Sequence, residues 1–464
     1  MGNRHFYEEL KRLDLSYYEE FGDEFLKKLF PLNRSILNNG VEETYKILQE
    51  KLDFEIIKLP TGMECYDWII PDQWEIKEAF IEVDGNKILD FKNNNLHILN
   101  YSEAVDEIIS FSELEEHLYY LKDQPDAIPY KTSYYKRNWG FCLTYNQFLS
   151  LDRDKMYKVK VLSEFSKGNI IIAEKLLKGI SEEEILISAY SCHPSMANDS
   201  LSGVVVWAML LKFLSSQKRL NYSYRFVLLP ETIGAIAYLK HREEAVKQNV
   251  KYGFVLTTCG GPGQFGYKYS FKGNALNDRC IEMTFKEEGV NYIKYPFDIS
   301  GSDERQYSSP FFRIPCGTIS KDKYYEYKEY HTSLDNLDFV KSKFLFETFF
   351  LYLLTFQKFE LSGIKYLSLN PAGEPFLTKR DIYSTIGITI SNVLDNSCHH
   401  KYKEYSTVDK HRITGEEIDL VLWLMFWSDG TKSLFEIAEI TGKSFYQLYK
   451  LATLLVEIKL IKQI

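Results

Sequence analysis

Cysteines are few, odd in number and scattered: Cys65, Cys142, Cys192, Cys259, Cys280, Cys316 and Cys398 form no Cys-x-x-Cys pair in 464 residues. That spacing excludes a zinc ribbon and argues against a disulfide scaffold, so a reducing compartment is expected. Positive charge is short as well, with 56 Lys and Arg against 65 Asp and Glu and a net charge of −9. Such a balance makes a poor partner for nucleic-acid phosphates and offers no polybasic anchor. The first twenty residues lack the apolar core of a secretory signal, and Phe6 stands where a myristoylation pattern needs Ser or Thr. No apolar run reads as a membrane span. The expectation is a cytoplasmic protein with neither membrane nor nucleic acid as partner.

What the chain does have is aromatic bulk, 34 Tyr and 31 Phe, in an otherwise ordinary globular composition. Residues 1–52 read as helical, with apolar residues at helical spacing over 17–29 and 41–52. Residues 54–111 carry short β-prone runs broken by Pro, Asp and Gly, the pattern of a small inserted β module. From about 155 to 360 strands and helices alternate: 170–173, 184–190, 224–229 and 252–256 read as strands, 201–214 and 233–247 as helices. This succession predicts an α/β fold with a mostly parallel central sheet flanked by helices, spanning 1–53 and 112–385. In such sheets ligands bind beyond the carboxyl ends of the strands, which directs attention to the residues after Tyr190, Leu229 and Leu256.

Those positions carry chemistry. After Tyr190 comes Cys192-His193-Pro194-Ser195-Met196-Ala197-Asn198-Asp199-Ser200-Leu201-Ser202-Gly203. Imidazole nitrogen and carboxylate oxygen are zinc ligands, although Asp199 ahead of a helix also reads as a cap. After Leu229 comes Pro230-Glu231-Thr232-Ile233-Gly234, where Glu231 is placed either to take a proton from water or to sit in the first turn of a helix. A third polar loop, Tyr330-His331-Thr332-Ser333-Leu334-Asp335-Asn336-Leu337-Asp338, precedes a long helix and offers His331, with Asp335 or Asp338 as cap.

In this order the segments resemble the di-zinc aminopeptidase family. The matching stretches are Ala197 to Val204, Ser302-Asp303 followed by Ile314-Pro315, and Tyr330 to Asp335. The resemblance implies His193, Asp199 and His331 as metal ligands, Glu231 as general base, and a cis Asp199–Ser200 peptide. The chain departs from the family's pattern at two carboxylates, where Thr232 and Thr257 stand. Two zinc ions a few ångströms apart need several carboxylates around them, so one ion is expected rather than two. Glu231 could also serve as a ligand, leaving no base. Over nearly its whole length the chain is similar to bacterial aminopeptidase-like proteins with an inserted β module and a C-terminal winged helix. That similarity rests on Leu29 to Ser35, Pro230 to Gly234, Gly301 to Tyr307 and Asn370 to Pro375. Arg305, beside Asp303 and Glu304, is either ion-paired or positioned to grip a substrate carboxylate.

The last segment, 386–464, reads as the winged helix, with helices over 418–426, 434–440 and 444–458 around a Gly442-Lys443-Ser444 turn. From Ile413 onward it has five basic and seven acidic residues, too little positive charge to hold phosphates. A protein partner or a homo-oligomer contact is therefore expected of it. The pair His399-His400 reads as an exposed loop. The implied activity is zinc-dependent hydrolysis of a peptide or related amide, with Arg305 and Asp303 on the substrate. The alternative is a peptidase fold that has lost its chemistry and binds or regulates.

Overall fold

Strands that are apolar along their length are stable only where both faces of a sheet are covered. In the largest sheet of the computed structural model three strands are buried at every residue: Glu184–Tyr190, Ser223–Leu229 and Cys316–Lys321. The structure describes residue 10, residues 13–377 and residues 415–464. It separates into two units, Met1–Phe356 and Gln357–Ile464.

The first unit is built on an eight-stranded mixed sheet. Its strands in chain order are β1 (Glu55–Pro60), β2 (Asn169–Leu177), β3 (Glu184–Tyr190), β4 (Ser223–Leu229), β5 (Val250–Leu256), β6 (Phe265–Lys268), β7 (Tyr292–Tyr295) and β8 (Cys316–Lys321). They lie side by side as β1-β2-β4-β3-β5-β8-β6-β7. The inner four, β4, β3, β5 and β8, are mutually parallel, whereas β1, β2 and β6 join by antiparallel pairing. The carboxyl ends of the inner four therefore open on one edge, which the sequence order predicts.

The apolar helix Gly203–Ser215 packs against these strands, and nine of its first eleven residues are hydrophobic with buried side chains. Gly203 is required there, because a Cβ would lie 2.1 Å from the Leu256 carbonyl oxygen. By length and composition alone Ala197–Ser215 would pass for a membrane span, contrary to the sequence reading, yet 94% of it is buried in the fold. The helix expected over 233–247 is two, Ile233–His241 and Glu243–Asn249. The break falls at Arg242, whose guanidinium reaches back to Glu174 at 2.5 and 3.0 Å.

The inserted module differs from the expected 54–111. Residues Glu55–Pro60 belong to the main sheet, paired with β2 from Glu55↔Glu174 to Pro60↔Asn169. The module's longest pairing joins Gln73–Val83 to Met156–Ser166, far beyond residue 111, with Asn86–Asp90 and Val105–Ser110 completing four strands. Pairing across some eighty residues leaves no local trace, so composition alone misplaced both edges.

The second unit also begins earlier than residue 386. Lys365–Ser368 pairs antiparallel with Asp429–Ser433 and Ile461–Gln463. Around these strands lie the helices Gly415–Trp427, Leu434–Thr441 and Phe445–Glu457. Ser433 and Glu436 form a capping box, the middle helix ends at Gly442 with φ 67°, and Ser444 caps the next through the Gln447 amide. His399-His400 lies outside the described residues.

A buried ion cluster braces β2, β3 and β4 in the first unit. Arg225, Glu174 and Glu184 are each about 95% shielded from solvent. Arg225 meets Glu174 at 2.5 Å and binds both oxygens of Glu184, while the Tyr238 hydroxyl donates to Glu174 at 2.6 Å. Removing one partner from such a cluster leaves uncompensated buried charge. Arg225→Met is therefore expected to destabilise the protein by about 3–5 kcal/mol, read as a lowered urea midpoint.

Candidate metal centre

The parallel strand ends bring the three loops together. His193 follows β3, Glu231 follows β4, Thr257 follows β5, and the segment from Lys321 carries the chain to His331. The His331 Nε2 lies 2.8 Å and the His193 Nε2 3.9 Å from Asp199 Oδ2. These three ligand atoms all fall within 4.8 Å of one another. Glu231 stands beside them, its Oε2 3.9 Å from the His193 Nε2.

Asp199 is no helix cap. The helix beginning at Gly203 has no side-chain cap bond. The Asp199 carboxylate turns to the site instead, with Oδ1 accepting from the Tyr190 hydroxyl at 2.5 Å and lying 3.4 Å from Thr257 Oγ1. The peptide after it is cis, as the resemblance implies. Asp335 is not a cap for the following helix either. Its Oδ1 accepts the Asn198 amide at 2.5 Å and its Oδ2 the Asp199 amide at 2.9 Å. Asn198 ties the neighbouring loops, donating from Nδ2 to the Lys321 carbonyl at 3.1 Å and accepting the Gly260 amide at 2.9 Å.

Both histidines are held through their backbones. Arg34, almost wholly buried, donates from Nε to the His193 carbonyl at 2.9 Å. The Tyr130 amide donates to the His331 carbonyl at 2.8 Å, and the Tyr130 ring lies 5.3 Å from each imidazole. Tyr330 stacks on His331 with centroids 3.9 Å apart.

The donor set suits a metal ion. Burial lowers the His193 pKa to about 4, so its imidazole is neutral, the form that binds metal. Burial opposes ionisation of Asp199, but His193 and the hydrogen bond from His331 outweigh it and hold the carboxyl below its usual range. Two imidazoles and one carboxylate are a ligand set that zinc takes in sites whose fourth position holds water. The residues present fit that group.

Around Glu231 the charge runs the other way. Its side chain is 26% exposed, and loss of solvent together with the Asp303 and Asp199 carboxylates raises its pKa. Asp303 accepts the Thr232 amide at 2.8 Å through Oδ1, while its buried Oδ2 has no hydrogen-bond partner. Glu304 is bound by Lys268 at 2.9 Å and by the Tyr324 hydroxyl at 2.8 Å. Arg305 keeps a buried Nε without a hydrogen-bond partner.

Sequence reasoning missed Tyr190, Tyr130, Asp335 as a brace, and Arg34. Tyr190 had a signal, being the last residue of the strand that leads into the site. Tyr130 had none, because it lies in an irregular stretch.

Asp303 also sets a pH dependence. Burial raises its pKa from 3.8 to about 7, with Glu304 adding to the rise and the Thr232 amide and Arg305 opposing it. A folded pKa above the unfolded one makes the folded state hold the proton longer, so stability falls as pH rises from 3.8 to about 7. In metal-free protein the stability of Asp303→Asn relative to wild type should therefore grow across that window and level off above it. Urea unfolding at pH 5 and pH 8 measures the difference.

Residues 23–361 match the family described as a domain of unknown function (DUF4910), and residues 401–463 match a winged helix-turn-helix family. A Clostridium acetobutylicum protein, whose name joins polysaccharide biosynthesis to an aminopeptidase-like domain, is 37% identical over 438 residues, covering 94% of this chain and 95% of that one. A Clostridium acetobutylicum crystal structure assigned as a peptidase superposes with a TM-score of 0.87 at 35% identity, covering 98% of this chain and all of that one. BSAP, a zinc aminopeptidase from Bacillus subtilis, shares the fold with a TM-score of 0.54 at 12% identity, over 74% of this chain and 94% of that one. The chain belongs to the DUF4910 family, with an aminopeptidase-like α/β fold and a C-terminal winged helix.

Proposed function

We propose that the protein is a metal-dependent hydrolase of the aminopeptidase type, cleaving a peptide or related amide with one zinc ion held by His193, Asp199 and His331. The observation that carries this reading is the convergence of three ligand atoms within 4.8 Å, beside a carboxylate at 3.9 Å from one of them. Zinc, when bound, supplies a Lewis acid for a carbonyl oxygen and a water of lowered pKa. Glu231 takes the proton from the attacking water and passes it to the leaving amine. Asp303 holds the Thr232 amide and so fixes the turn that presents Glu231. Arg305 meets an anionic substrate group with its guanidinium, whereas Asp303, expected beside it on the substrate, is fully buried and acts through that turn. The name of the Clostridium relative adds amides carried on sugars to the peptides worth testing. The acidic tail makes a protein contact the better reading for the winged helix.

A second reading, a binding or regulatory protein on a peptidase scaffold, is favoured by Thr232 and Thr257, which supply no charge where a two-metal site needs it. Metal analysis and turnover separate the two. Wild type purified under zinc-replete conditions is expected to carry zinc, and its absence would defeat the hydrolase reading. Glu231→Gln is expected to lower turnover by roughly a hundred- to ten-thousandfold with metal content nearly unchanged. Loss of zinc in that variant would make Glu231 a ligand and remove it as the base.

A further inference from the structure

The two oxygens of Asp199 look at different things. Oδ2 faces both imidazoles, and Oδ1 faces Tyr190 and Thr257. Tyr190 is 2% exposed, and Thr257 is fully buried. The Tyr190 hydroxyl oxygen lies 2.5 Å from Asp199 Oδ1 and 2.6 Å from Thr257 Oγ1. A carboxylate accepts only, so the single phenolic proton goes to Asp199, and Thr257 donates its own to the phenolic oxygen. The two outer oxygens, Asp199 Oδ1 and Thr257 Oγ1, are 3.4 Å apart. Two oxygens bound to one zinc at about 2.1 Å and a tetrahedral angle are separated by about 3.4 Å. That spacing would suit a bridging cation, and the phenolic oxygen stands within hydrogen-bond reach of both oxygens instead.

We propose that Tyr190 and Thr257 replace a second cation at Asp199, closing its Oδ1 side with neutral hydrogen bonds and restricting the centre to one ion on the Oδ2 side. Tyr190 is a positioning residue in this arrangement. Its short bond fixes the carboxylate plane, makes Asp199 a one-oxygen ligand and compensates the buried charge that a second ion would otherwise balance. The proposal rests on the metal reading given above.

Cobalt(II) titration of metal-stripped, full-length protein tests it by uptake and visible absorption, with no need for a substrate. Wild type is expected to bind one equivalent. Tyr190→Phe keeps the ring and loses the proton donor; it should still bind one equivalent, roughly ten- to a hundredfold more weakly, with altered cobalt bands as the freed Oδ1 turns to the ion. Thr257→Val leaves the Tyr190–Asp199 bond standing and should weaken binding by a smaller factor, which keeps the test alive if Tyr190→Phe misfolds. Tyr190→Phe combined with Thr257→Asp opens the place and should bind a second equivalent. Two equivalents in wild type, unchanged affinity in both single variants, or a double variant that stays at one would each overturn the proposal. Wild type that binds none would remove the metal reading itself, and this inference with it.

Discussion

The site depends on one buried anion, the Asp199 carboxylate. A charge with almost no exposure is tolerable only when its surroundings supply what water would have supplied. Here the supply comes from two directions, imidazole nitrogen on one side and a phenol on the other. The backbone is recruited as well, since Asp335 takes the Asn198 and Asp199 amides that an ordinary helix start would have left over. Asn198 then extends the same logic to the ends of β5 and β8. Several polar residues of a short stretch are thus consumed in holding one side chain still.

A second theme is division of labour between charges. The Asp199 side of the cleft has an ionised carboxylate and a neutral His193. The Glu231 side has carboxylates whose burial, added to by their crowding, makes them hold their protons more tightly. One face suits a cation and the other suits proton exchange, and the two meet at the His193 imidazole. Lys268 prevents the acidic side from accumulating still more charge by neutralising Glu304 in the interior.

Much of this was legible in the sequence, for identifiable reasons. Buried parallel strands announce themselves as continuous apolar runs, so β3, β4 and β5 and the loops after them were placed correctly. His193, Asp199 and His331 converge because those loops share one edge of the sheet. The rest depended on contacts between distant positions. Glu55–Pro60 looks like any short strand, and only its register with β2 assigns it to the main sheet. Tyr130 and Arg34 act through backbone carbonyls of the two histidines, a role that no side-chain pattern reveals. Asp335 was read as a cap because caps are the commonest use of an aspartate before a helix, and here tertiary hydrogen bonds claim it.

The brace of His331 by Tyr130 has a consequence for how the molecule is assembled. The ligand atoms and their supports come from residues 34, 130, 193, 199 and 331, stretches that an unfolded chain never brings together. Any ion bound there recognises the native state alone. Its occupancy becomes a thermodynamic lock on the whole first unit, adding about 1.4 kcal/mol for each tenfold excess of free metal over its dissociation constant. Metal supply would then govern the lifetime of the fold as well as its chemistry.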